Sequence, residues 1–257
     1  ERWLSNPDSI YSSTLVPDKA VSKKTCLIND FKFNPEGINI QKELLEKLDP
    51  LHLMAVHTAR DALKSCDTSS TDKNRIGTIL AAIALPTYSS SSVTRKIFSQ
   101  DFEQRLFGKD FCYNKKLISR EESMAARVTG LPAAIISRGL DLGGGSFTLD
   151  AACASSIFAV KLACDELDSH RTDLMLAGGI SRPDSLYTQI GFSQLKALSP
   201  TGRCAPFDES ADGLVVGEGA GILVLKRLDD AIRDKDTVHA LIHTTGISND
   251  ITGNLLS

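Results

Sequence analysis

Cys153 is the residue of this sequence best placed for nucleophilic chemistry. It lies in the run TLDAACASS at positions 148–156, where a strand-like segment gives way to a helix through small residues. A thiol at the amino-terminal end of a helix lies near the positive end of the helix dipole, which favours the thiolate. A thiolate is the form that attacks a carbonyl carbon. Cys153 is therefore a candidate nucleophile for acyl transfer.

The other cysteines form no comparable pattern. They are widely spaced, and the chain contains no C-x-x-C pair. In a chain of this length, such spacing favours free thiols in a reducing cytoplasm over a disulfide framework. We interpret the remaining five as small buried apolar residues. They are Cys26, Cys66, Cys112, Cys164 and Cys204.

The histidines predict neither a metal site nor a catalytic base. His52 and His57 are spaced so that they do not share one face of a helix. His239 and His243 fall on one side of a predicted strand, where packing is a commoner role than ligation, and His170 lies in a predicted loop. We therefore expect no metal ion in this chain.

The elements around Cys153 alternate between strands and helices. Residues 1–39 are polar and interrupted by proline, and they predict an irregular surface segment. Strand–helix alternation over the remaining chain predicts βαβ units and a mixed or parallel sheet. Strands are predicted at 75–85, 146–150, 174–180, 220–226 and 238–246. Helices are predicted at 40–64 with a break at Asp49-Pro50, up to 107 from the serines at 89–92, at 121–140 with an interruption at Gly130 and Pro132, and at 154–168, 185–198 and 228–234.

The helix that follows Cys153 has a one-sided apolar pattern. Ile157, Val160, Cys164 and Leu167 recur at three- and four-residue spacing, which predicts that this face packs on the core. The first turn contains only small residues, so that substrate or backbone can approach the sulfur atom.

Composition excludes several classes of function. The 257 residues carry a formal net charge of −3 without a basic stripe, so nucleic acid is not an expected partner. No apolar run is long enough to span a membrane, and the amino terminus has no signal-peptide pattern. We expect a cytoplasmic protein. Because the first residue is Glu1 rather than methionine, we also expect the chain to be a piece of a longer protein.

Two motifs resemble the signature sequences of β-ketoacyl synthases. Residues 150–155, DAACAS, match the pattern D-x-A-C-[SA]-S. Residues 198–208, LSPTGRCAPFD, match a second block, which continues downstream as ADG at 211–213 and GEGAG at 217–221. Asp49-Pro50 is a looser match to a helix start of polyketide-type synthases. The resemblance extends from position 49 to about 256.

The resemblance implies a thiolase-like α/β fold. Residues 40–257 would form the amino-terminal half of a ketosynthase domain, which is one α/β half of the layered αβαβα condensing-enzyme fold. A homodimer beside the nucleophile strand is also implied, together with a carboxyl-terminal half, in the same protein or in a separate chain, that covers the helix layer. The family's H-G-T-G-T and K-S-N-x-G-H motifs, which carry two histidines, do not occur in this chain.

The resemblance also implies a reaction for polyketide or fatty-acid synthesis. Cys153 would carry the acyl chain in a Claisen condensation with a malonyl-type thioester, and the Cys153 amide would help to stabilise the oxyanion. An acyl carrier protein with its phosphopantetheine arm would be the substrate carrier, and no separate cofactor is implied. Phe192 would line the acyl pocket, although a core aromatic role is about equally compatible with its position. Without the two histidines, we expect the chain alone to be inactive in condensation.

Two other functions remain open at this point. A non-catalytic scaffold or chain-length-type subunit would usually lack the nucleophilic cysteine, whereas Cys153 is intact. A coenzyme A-dependent thiolase-like enzyme would fit the cysteine, but the block at 198–208 favours a ketosynthase. The glycine-rich run 217–221 precedes a predicted strand, which argues against a dinucleotide-binding turn. The charged residues Arg203, Asp208 and Asp212 either line the site or, more commonly in such loops, hold the loop together.

Overall fold

The structure is a computed structural model that describes residues 10–108, 118–125, 127, 130–183 and 185–248. The chain divides into two compact units. The larger unit contains residues 30–182 and 219–238, and the smaller contains the described residues of 1–29, 183–218 and 239–257. The boundary expected from the sequence between 1–39 and 40–257 stays a prediction.

The larger unit is built on a mixed β-sheet. Among the described residues its strands follow the order β2-β1-β3-β4. Both β2 and β3 are parallel to β1, whereas β4 is antiparallel to β3. The strand bounds are Ile76–Ala81 (β1), Ser146–Leu149 (β2), Leu174–Ser181 (β3) and Gly219–Leu225 (β4).

Helices connect and cover these strands. Their bounds are Lys42–Leu45 (α1), Pro50–Leu63 (α2), Tyr88–Phe107 (α3), Arg120–Ala125 (α4), Pro132–Leu140 (α5), Ser155–Asp168 (α6), Ser185–Gln194 (α7) and Leu228–Asp234 (α8). The break expected at Asp49-Pro50 is confirmed as the start of α2. Pro50 occupies the first turn, and the Asp49 carboxylate accepts a hydrogen bond of 2.9 Å from the Leu51 amide. Both features are typical of a helix amino terminus.

The core lies between α6 and the central strands. Ala159 and Ala163 are fully buried against β1 and β3, where Ile79, Met175 and Ala177 belong to the same cluster. Small side chains at these two positions let the helix lie close to the sheet.

The buried face expected for α6 is therefore wrong in part. The residues that the structure buries on this helix are Ser155, Ala159, Ala163 and Leu167. Ile157 is 60% exposed, and Cys164 is only partly buried. Of the four residues predicted to face the core, Leu167 belongs to the core cluster and the partly buried Val160 packs against it.

Close contact between β3 and β4 depends on glycine. A Cβ atom added to Gly178 would lie 1.9 Å from the carbonyl oxygen of Gly221, a distance that no side chain can occupy. The strand β4 begins at Gly219, which confirms that the glycine-rich run precedes a strand rather than a helix. The strand predicted at 238–246 is wrong, because this stretch is irregular and its backbone is paired with no described residue.

Ion pairs hold the edge of the sheet at which the parallel strands begin. Asp173 precedes β3 and binds both Arg75, which precedes β1, and Arg227, which follows β4. The Arg75 guanidinium holds the pKa of the Asp173 carboxyl group well below its ordinary value. Partial burial of Asp173 acts in the opposite direction, and Arg227 lowers the pKa further. Nearby, the buried Lys226 ammonium lies 2.6 Å from a carboxylate oxygen of Asp234. This edge is occupied by structural contacts, so the opposite edge is the one available for chemistry.

Candidate active site

Cys153 lies at the carboxyl edge of the parallel strands. Strand β2 ends at Leu149, and a short 3-10 turn over Ala152–Ala154 carries the thiol directly into α6. The side chain is exposed. In α/β sheets, ligands generally bind beyond the carboxyl ends of the strands. The position expected from the sequence, at the junction of a strand and a helix amino terminus, is confirmed.

The turn before Cys153 has an unusual backbone conformation. Ala152 has φ 50°, a left-handed geometry that costs a non-glycine residue about 1–2 kcal/mol. Such strain persists only where surrounding contacts hold it. Here the Asp150 carboxylate accepts a hydrogen bond of 2.9 Å from the Ala152 amide.

The hydroxyl group of Ser155 holds the other side of the turn. Ser155 is only 4% exposed. Its Oγ accepts a hydrogen bond of 2.8 Å from the Ala151 amide and donates one of 2.6 Å to the Ala152 carbonyl oxygen. The two peptide groups that flank Ala152 are therefore both fixed by side chains close in sequence.

These contacts leave the backbone of Cys153 available to a substrate. In the part of the chain that the structure describes, the Cys153 amide donates to no protein acceptor. A free amide beside a nucleophile can donate to the oxyanion that forms when the nucleophile attacks a carbonyl group. The arrangement can support attack of a thiol on an acyl carbonyl carbon.

The other cysteines differ from Cys153 in their surroundings. Burial raises the pKa of the Cys66 and Cys164 thiols, and nearby carboxylates add to the effect, so both are poorer nucleophiles. Cys26 and Cys204 are exposed, so the expectation that they are buried apolar residues is wrong. Cys112 lies outside the described residues.

Phe192 belongs to the smaller unit. It lies on α7 and is half-buried, and its backbone oxygen accepts hydrogen bonds from the Ala197 and Leu198 amides, which follow the helix. Its role in an acyl pocket stays a prediction.

The loop after α7 is held by its own side chains. Asp212 accepts hydrogen bonds of 2.5 Å from Ser199 Oγ and 2.7 Å from Thr201 Oγ1. These two hydroxyl groups lower the pKa of the Asp212 carboxyl group. Arg203 lies 3.3 Å from Asp208. The contacts support the interpretation that these charges stabilise the loop.

The histidines are scattered through the described structure. His52 is buried in α2, and His57 packs edge-on against Phe31 at 5.3 Å between ring centroids. His170 is exposed, and His239 and His243 lie in the irregular stretch after α8. Within the described ranges, no group of three or more His, Cys, Asp or Glu side chains could hold a metal ion. No helix in these ranges is both long and apolar enough to cross a bilayer.

Comparison with known families identifies the fold around this turn. Residues 2–231 match the family described as "Beta-ketoacyl synthase, N-terminal domain". The chain belongs to this family. The mixed α/β sheet and the thiolase-like fold expected from the sequence are thereby confirmed, and Cys153 lies within the matched residues.

Relatives of this β-ketoacyl synthase chain are much longer proteins. One component of the phenolphthiocerol/phthiocerol polyketide synthase of Mycobacterium tuberculosis is 51% identical over 122 residues, which cover 46% of this chain and 8% of that protein. Another component of the same synthase is 48% identical over 115 residues, which are 45% of this chain and 6% of that protein. The chain therefore matches only a small part of the length of these relatives.

Solved structures agree with this assignment. The PfaC ketosynthase–chain length factor is similar with a TM-score of 0.79 and 34% identity, covering 91% of this chain and 26% of that chain. The ketosynthase from module 6 of the bacillaene synthase of Bacillus subtilis is similar with a TM-score of 0.64 and 26% identity, covering 91% of this chain and 35% of that chain.

Proposed function

We propose that this chain is the amino-terminal part of a polyketide-type β-ketoacyl synthase and that Cys153 is its acyl acceptor. The observation that carries the proposal is the turn itself. An exposed thiol lies between β2 and the start of α6, beside an amide that is available to an oxyanion. The family membership and the polyketide synthase relatives support the same reaction class.

The loading step follows from ordinary thioester exchange. The Cys153 thiolate attacks the carbonyl carbon of an acyl thioester, and a bond forms between Sγ and that carbon. The tetrahedral intermediate then expels the thiolate of the carrier, which takes up the proton released by the Cys153 thiol. The Cys153 amide donates to the oxyanion during this step. The acyl group ends on Cys153, and the carrier leaves as a free thiol.

The carrier in this proposal is an acyl carrier protein with a phosphopantetheine arm. Condensation with a malonyl-type unit requires the histidines of a carboxyl-terminal half, whether that half belongs to the same protein or to another chain. A homodimer and a cytoplasmic location complete the proposal. No separate cofactor takes part.

Acyl loading can be tested directly on this chain. The protein is incubated with butyryl-coenzyme A or with a butyryl acyl carrier protein, and intact mass and peptide mapping locate the adduct. We expect one butyryl group on Cys153 and none in Cys153→Ala. Cys26→Ala removes another exposed thiol and is the matched control, which should load like the wild type. Equal acylation of Cys153→Ala would contradict the assignment of the nucleophile.

The same experiment separates the alternatives. The similarity to PfaC, which is described as a ketosynthase–chain length factor, keeps a non-catalytic subunit as a second candidate. A subunit of that kind would take up no acyl group from either donor. Loading from coenzyme A but not from the carrier protein would favour a thiolase-like enzyme.

A further inference from the structure

Asp150 uses both of its carboxylate oxygens on the backbone around Cys153. Oδ1 accepts a hydrogen bond of 2.9 Å from the Ala152 amide, at the start of the 3-10 turn that contains Cys153. Oδ2 accepts one of 2.8 Å from the Ala84 amide, which belongs to the segment that follows β1. A single side chain therefore joins two segments that are 66 residues apart in the chain.

We call these two hydrogen bonds of Asp150 the bridge. The bridge continues the pairing of β1 with β2 beyond the ends of the two strands. The last ladder contact between them is the Ala82 amide, which donates to the Leu149 carbonyl oxygen at 3.0 Å. The next connection along the same edge is made by the Asp150 carboxylate. The segment after β1 is also held at its far end, where the buried Asp49 carboxylate accepts a 3.3 Å hydrogen bond from the Ser89 amide.

The bridge also acts on the strained residue of the turn. Ala152 keeps φ 50° because the peptide groups on both of its sides are hydrogen-bonded. If the Asp150 contact were lost, Ala152 could relax towards the ordinary negative φ region. The peptide between Ala152 and Cys153 would then rotate, and the Cys153 amide and thiol would turn with it.

We infer that Asp150 is a positioning residue that fixes the Cys153 turn against the segment after β1. Its consequence for acyl loading rests on the proposed function. Its benefit is geometric, because it holds the thiol and the oxyanion donor in one arrangement.

Asp150→Asn tests this inference on the 257-residue chain. The asparagine keeps the size of the side chain but replaces one acceptor with an NH2 group, which cannot accept from a backbone amide. Asp168→Asn is the matched control, since Asp168 is exposed at the far end of α6 and its replacement removes the same charge. Hydrogen exchange is measured by mass spectrometry on peptides that cover 82–86 and 150–155.

We expect exchange in both peptides of Asp150→Asn to accelerate about tenfold, with no change in Asp168→Asn. The maximal rate of butyryl loading should fall at least tenfold, while the concentration of butyryl-coenzyme A at half-maximal rate stays within about twofold. Alkylation of Cys153 by iodoacetamide, which needs the thiolate but no oxyanion donor, should fall less than threefold or rise.

Two results would overturn the inference. Unchanged exchange in both peptides would show that the bridge does not hold the turn. Equal losses in loading and in alkylation would show that Asp150 acts on the reactivity of the thiol itself. Faster exchange in a protein whose wild type takes up no acyl group would support the bridge and contradict the proposed function instead.

Discussion

Replacing Ser155 with alanine removes the buried hydroxyl group that forms hydrogen bonds with the backbone of the turn at Cys153. The hydroxyl makes two short hydrogen bonds, of 2.8 Å with the Ala151 amide and 2.6 Å with the Ala152 carbonyl oxygen. Each is worth about 0.5–1.5 kcal/mol of net stability, so the two together contribute about 1–3 kcal/mol. Alanine has a higher helix propensity than serine, which offsets about 0.5 kcal/mol of this loss. We expect the free energy of unfolding to fall by about 0.5–2.5 kcal/mol.

Ser156→Ala provides the matched control for this prediction. Ser156 is exposed on the next position of the same helix, and the substitution brings the same gain in helix propensity. Its free energy of unfolding should change by less than about 0.5 kcal/mol. Urea unfolding followed by circular dichroism measures both variants against the wild type. If Ser155→Ala and Ser156→Ala unfold at the same urea concentration, the hydroxyl group does not stabilise the turn and the reasoning fails.

Three further predictions follow from the same structure. Asp173→Asn should lower the free energy of unfolding most at neutral pH, and this loss should shrink below about pH 4. The reason is that the arginine-bound carboxylate of the wild type has a lowered pKa, and its contribution to stability disappears as acid protonates it. Urea unfolding at several pH values measures the loss, and a loss that does not depend on pH would contradict the prediction. Gly178→Ala should lower the free energy of unfolding by at least about 1–3 kcal/mol, because its Cβ would meet the Gly221 carbonyl oxygen at 1.9 Å. Gly221→Ala places its Cβ in open space, so it should lower the free energy of unfolding less in the same urea assay. Equal losses in the two variants would contradict this prediction. Iodoacetamide at pH 8 should label the exposed Cys153 before the partly buried Cys66 and Cys164, since burial raises the pKa of both of these thiols. Peptide mapping over time measures the order, and earlier labelling of Cys164 would refute it.

The place of Cys153 at a junction of strand and helix, and most elements of the larger unit, could be predicted from the sequence. The buried strand β1 is a continuous apolar run, and Pro50 after Asp49 marks the start of α2, so local residue types were sufficient there. The motif around Cys153 likewise specifies a strand, a tight turn and a helix in immediate succession. These features depend on short-range chemistry, which a single sequence displays.

The packing face of α6 could not be predicted in this way. Apolar spacing favoured the exposed Ile157, whereas the most deeply buried residues of the helix are Ala159 and Ala163, whose small side chains do not stand out in an apolar pattern. The stretch at 238–246 shows the same limit. Its apolar residues suit a strand, yet a strand needs a neighbour for its backbone groups, and no described residue supplies one.

By itself, the sequence determined the family of the chain and singled out Cys153 as the candidate nucleophile. The tertiary structure decided how that residue is held. Asp150 and Ser155 are ordinary polar residues in the sequence, and their function depends on contacts with backbone groups whose positions the fold creates. The partner of Asp150 at Ala84 is 66 positions away, so only the parallel pairing of β1 with β2 brings the two together.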